Sequence, residues 1–126
     1  MPHLVDTDIL IDLTRDNQGS IEFIDSLENA WSISAITGLE LIAGAKNKRE
    51  VSEIGVLLAA YSTHHMTEAI ERRAFELLLA YAKSHGLRTL DSLIAATAIE
   101  EGLTLATRNR KHFEMIAGLA LDVPGY

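Results

Sequence analysis

Cysteine is absent from all 126 residues, which excludes disulfides and thiolate metal sites. No apolar run comes near the roughly 20 residues that a membrane-spanning helix needs. Asp6 and Asp8 interrupt the first apolar stretch, so no signal segment is expected there. These absences predict a cytoplasmic protein with no membrane partner. Basic charge is also scarce, with 11 Lys and Arg against 18 Asp and Glu and a net charge of -7. That balance argues against holding a nucleic acid on a broad basic surface. It is compatible with a nuclease that places divalent cations between its carboxylates and a phosphate, and with a basic protein partner. There is no G-x-S-x-G elbow, no phosphate-binding Walker loop and no cysteine nucleophile.

What the chain has is short apolar runs punctuated by polar turns. "LVD" reads as a buried parallel strand ending at Asp6. Asp8 is the expected cap of a short helix over "ILIDL", and Asp12, a turn later, is expected at the surface. "SIEFIDSLENA" carries Ile21, Ile24 and Leu27 on one helical face, with Ser20 as its expected cap. "WSIS" is a second strand. "AITGLELIAGAK" is a helix whose buried side is expected to be Leu39, Ile42 and Ala43. A helix from near Arg49 leads to a weak strand, "YSTHH". The clearest helix is "TEAIERRAFELLLAYAKSHG", stopped by Gly86. "TLDSLIAATAIEEG" is another, closed by Gly102. "LTLAT" and "ALDV" complete the strands, with a short helix or turn at "HFEMIAGL". Short buried strands alternating with helices predict an α/β sandwich with a mainly parallel sheet. No repeat or linker divides residues 1–126, so one domain is expected.

In an open parallel sheet, ligands bind beyond the carboxyl ends of the strands. Asp6 ends the first strand, Glu40 lies one turn into the helix after the second, and Asp91 lies in the first turn of its helix. "TRN", Thr107 to Asn109, follows the strand "LTLA" directly. Each has an ordinary reading as well. Asp91 could cap a helix, Asn109 could be a turn residue, and Glu40 could lie on a solvated face. The set, rather than any member, points to a site. His64 and His65 are adjacent near a strand end, where alternate side chains face apart, so they do not suggest a metal pair.

"LVDTDILIDL", "SAITGLELIAGA", "LDSLIAATAIEEGLTLATRN" and "HFEMIAGLALDVP" resemble, in order and over nearly the whole chain, the PIN domain, especially the VapC-type toxin ribonucleases of toxin–antitoxin pairs. The resemblance implies a three-layer α/β/α sandwich around a five-stranded sheet. It also implies a metal-dependent endoribonuclease with its acids at Asp6, Glu40 and Asp91. Family members often carry Asn and then Asp-Phe in the last acidic region. This chain keeps Asn109 and has His112 before Phe113, and His112 is not expected to be an essential ligand. Oxygen donors suit Mg²⁺ or Mn²⁺. In that reading Asp6 and Asp91 ligate the ion, Glu40 ligates it or orients water, and Asn109 supports a carboxylate or a water. Thr7, Thr107, Arg108 and Arg110 are the substrate-binding candidates, with Lys111 and Arg15 nearby. The implied partners are RNA, a cognate antitoxin and a second copy of the chain. The alternatives are a non-catalytic interaction protein on the same fold and a carboxylate metallo-phosphatase.

Overall fold

A computed structural model describes residues 2–126. The elements, in chain order, are β1 (His3–Val5), α1 (Thr7–Thr14), α2 (Gln18–Ser26), β2 (Trp31–Ser34), α3 (Ala35–Ala43) and α4 (Lys48–Ala60). There follow β3 (Ser62–His64), α5 (Glu68–His85), α6 (Thr89–Glu101), β4 (Thr104–Ala106), α7 (Arg110–Phe113) and β5 (Leu121–Asp122). The five strands form one sheet in the order β3-β2-β1-β4-β5, and every pairing is parallel.

Strand alternation divides the core into two layers. Leu4 and Leu105 point to the face covered by α5, α6 and α7, where they meet Ile70, Leu77, Ile94 and Phe113. Val5 and Ala106 point to the other face, where they meet Ile9, Ile24, Leu41 and Ile54 from α1 to α4. Both faces of the central strands β1 and β4 are covered, so "LV" and "LA" show no polar alternation, whereas β2 alternates as "WSIS" and is buried throughout all the same. This is the expected α/β/α sandwich. None of the described helices is long and apolar enough to cross a membrane.

The chain runs outward from β1 through β2 to β3, then returns to β4 on the other side of β1. The strand order therefore reverses between β1 and β4. Such a reversal opens a crevice at the carboxyl ends of the two strands.

Several local expectations change. Asp6, not Asp8, caps the first helix, because the chain turns straight from β1 into α1 at Thr7. Asn17, not Ser20, caps α2, and Ser20 is buried inside the helix. In α3 the buried residues are Thr37, Gly38 and Leu41, while Leu39 and Ile42 are 64% and 44% exposed. A helix that is apolar nearly all round does not specify its inner face by periodicity. Packing chose the small side, with a Leu58 methyl 3.7 Å from where a Gly38 Cβ would lie. The short helix expected at "HFEMIAGL" instead starts at Arg110 and ends at Phe113.

Candidate active site

Asp6 stands where β1 becomes α1, and its backbone N–H donates to the Ala106 carbonyl of β4 at 2.9 Å. The residue is only 4% exposed. Oδ1 accepts from the Thr7 N–H and Oδ2 from the Thr107 hydroxyl, both at 2.8 Å. The Thr107 oxygen in turn accepts from the Asn109 N–H at 3.0 Å. Thr107 is itself fully buried. Its hydroxyl therefore ties the loop after β4 to the acid after β1.

Burial is the largest influence on Asp6 and raises its pKa to about 7. The negative charge of Asp8 raises it further, the Thr107 and Thr7 bonds oppose the rise, and Asp91 adds to it. Asp8 is also shifted upward, mainly by burial, against the bonds from the Arg108 and Ile9 N–H groups. Carboxylates pressed together in this way favour a proton or a cation between them.

Glu40 enters from α3. Its Oε1 accepts from the Thr7 hydroxyl at 2.8 Å, and that hydroxyl lies 3.0 Å from the buried Thr37 hydroxyl. Glu40 and Arg15 share the wall of a small cavity between α1, α3 and α4. Asp91 enters from the first turn of α6, and its Oδ2 lies 3.2 Å from His112 Nδ1 in α7. Four separate elements thus bring Asp6, Glu40, Asp91 and Thr107 to the crevice or its rim.

The other candidates divide. Asn109 engages Thr107 through its backbone, and its exposed side chain makes no capping bond to α7. Arg108 reaches back to α1, with Nη1 donating to Asp12 Oδ2 at 2.8 Å. Arg110, Lys111 and Arg15 are exposed. Asp12 is not the surface acid expected from its register. Its side chain is 20% exposed, and it accepts from both Arg108 and the Tyr126 hydroxyl. Thr37 is a polar residue in a mostly apolar helix, which marks it in the sequence, but nothing local marks Tyr126.

Among the described residues, no three acidic or imidazole groups converge closely enough to surround one ion. The donor chemistry of Asp6 nevertheless fits a hard divalent cation. It is an almost wholly buried carboxylate with two further acids raising its pKa, and every donor in the set is oxygen. Asp6 and Asp91 are the groups that could hold the ion, while Glu40 is tied to the residue after Asp6 through the Thr7 hydroxyl.

A PIN-domain family model matches residues 3–119. The chain is 38% identical to ribonuclease VapC10 of Mycobacterium tuberculosis, over 98% of this chain and 96% of that protein. It is 32% identical to ribonuclease VapC19 of the same organism, over 92% and 95%. Among solved structures, a toxin–antitoxin complex from Klebsiella pneumoniae superposes with a TM-score of 0.80 at 30% identity, covering 94% of this chain and 95% of that one. VapBC2 from Rickettsia felis, bound to a promoter DNA fragment, shares the fold with a TM-score of 0.86 at 24% identity, covering 98% of each chain.

Proposed function

The chain belongs to the PIN-domain family as a VapC-like toxin, and from that premise we propose that it is a metal-dependent endoribonuclease neutralised by a cognate antitoxin. The observation that carries the reading is Asp6, a buried carboxylate at the strand-order reversal whose pKa is raised by burial and by neighbouring acids. Bound between these acids, Mg²⁺ or Mn²⁺ would supply charge neutralisation at the scissile phosphate and a more acidic water. Asp6 and Asp91 are its ligands in this reading. Glu40, steadied by the Thr7 hydroxyl, orients the attacking water. Thr107 holds the Asp6 carboxylate in place, and Arg108 offers donors to a backbone phosphate. Arg110 remains a phosphate candidate on the exposed start of α7.

RNA cleavage assayed with Mn²⁺, with Mg²⁺ and with excess chelator tests the reading. Cleavage should require the metal, and Asp91→Asn should abolish it in a chain that still melts cooperatively. Undiminished cleavage by a folded Asp91→Asn protein would remove Asp91 from the site. Hydrolysis of small phosphoesters instead of RNA would favour the metallo-phosphatase. Binding without any hydrolysis would favour the interaction protein, a reading supported by the pairing of Asp91 with His112.

The chain is also proposed to form a homodimer. Leu39, Ile42, Phe75 and Leu79 are large apolar side chains left exposed, with Leu79 at 88%. Surfaces of this kind mark protein contacts when they are contiguous. Sedimentation at micromolar concentration should give a dimer, and a monomer there would refute the assignment.

A further inference from the structure

Tyr126 touches Asp12 and Gly19, both far from it in sequence. Its hydroxyl donates to Asp12 Oδ2 at 2.8 Å, the same oxygen that accepts from Arg108 Nη1 at 2.8 Å. The Arg108 guanidinium carbon lies 4.7 Å from the centre of the Tyr126 ring. That is within the range of cation–π attraction. Tyr126 also rests on Gly19, in the first turn of α2. A Cβ at Gly19 would stand 2.5 Å from the Tyr126 Cβ, a separation that real side chains do not tolerate. Glycine is required here for close approach, not for an unusual backbone angle.

Arg108 is therefore gripped at both ends. Its N–H donates to Asp8 at 2.9 Å, while its guanidinium lies against the tyrosine ring and is bonded to Asp12. It directly follows Thr107, whose hydroxyl donates to Asp6, so the grip lies at the lip of the carboxylate crevice. The side chain is 42% exposed, open to a ligand on its free side. A free arginine on a loop samples many rotamers, and ordering one at binding weakens affinity. A guanidinium has five N–H donors, so Asp12 does not exhaust them.

We propose that Tyr126 is a positioning residue, which seats on Gly19 and Asp12 and holds Arg108 ready at the crevice to receive a backbone phosphate of RNA. The proposal rests on the ribonuclease reading above. A pre-ordered phosphate contact acts equally on bound substrate and transition state. Its loss should appear in KM and leave kcat nearly alone.

The test is steady-state cleavage of an RNA oligonucleotide pool with Mn²⁺, by wild type, Tyr126→Leu, Tyr126→Phe, Gly19→Ala and Arg108→Gln. Tyr126→Leu and Gly19→Ala should each raise the apparent KM about 3–10-fold, with kcat within about twofold. Gly19→Ala is informative because alanine favours the helix while expelling the ring. Tyr126→Phe keeps the ring and should show a smaller rise. On an Arg108→Gln background, Tyr126→Leu should add nothing. A second readout needs no RNA. The Arg108 Nε–H resonance, assigned by its loss in Arg108→Gln, should be ring-current shifted in wild type and move to the exposed-arginine position in Tyr126→Leu. A cleaving wild type with unchanged KM in folded Tyr126→Leu overturns the positioning role alone, as does an unshifted wild-type resonance. A wild type that cleaves no RNA overturns the ribonuclease reading and the phosphate role with it.

Discussion

Asp6→Asn is expected to make the metal-free protein more stable at neutral pH while eliminating RNA cleavage. The carboxyl titrates near pH 7 in the folded chain against a usual 3.8. That displacement corresponds to roughly 4 kcal/mol between the two protonation states. Part of this returns when metal binds, so the measurement belongs in chelator. Because the folded value lies above the unfolded one, the folded chain holds a proton that the unfolded chain has released between about pH 4 and pH 7. This group therefore destabilises the fold progressively as pH rises through that window, and fully above it. Asparagine carries no charge to desolvate. Its oxygen still accepts from the Thr7 N–H, and the Thr107 hydroxyl can turn to accept from the new amide.

The expected gain for Asp6→Asn is about 2–4 kcal/mol at pH 8 and close to zero near pH 4. Urea unfolding of both proteins at several pH values reads the difference directly. Greater stability of wild type than Asp6→Asn at pH 8 would show that the acid is not strained as described. Cleavage should fall by more than the roughly 10–100-fold typical of losing a residue that only orients a ligand. Stability and activity thus move in opposite directions at this residue, as expected where burial of a charge serves chemistry.

Phe113→Ala should cost about 3–5 kcal/mol, the usual range for emptying a well-packed aromatic site. Phe113 is 1% exposed and packs in the layer with Ile94, Leu105 and Ile116. It also ends α7, a helix of only four residues. So short a helix has no stability of its own and is held by packing. Losing the anchor should free His112 from Asp91 and loosen the loop that carries Arg108 and Asn109. Thermal melts give the stability, and Phe113→Leu should retain most of it. A loss below about 1 kcal/mol in Phe113→Ala would mean that α7 is held elsewhere.

Much of this arrangement was written locally. "WSIS" is legible as a strand from its apolar/polar alternation, although its two serines are buried as well. Gly86 and Gly102 end α5 and α6 in the left-handed conformation that glycine adopts without penalty. Asp6 at a strand end and Asp91 in a first helical turn were legible because each position follows from one element alone. The pairings were not. Thr7 meets Glu40 across 33 residues, Arg108 meets Asp12 across 96, and Tyr126 meets Asp12 across 114. Periodicity tells which side of an element is apolar, and in α3, apolar almost all round, it could not do even that. Which polar groups face one another depends on how the helices seat on the sheet, so the inward side of α3 and the clasp on Arg108 are properties of packing. The same holds for Asp6. The sequence placed an acid at the end of the first strand, but only the neighbours that exclude water and add charge around it make that acid hold its proton near pH 7.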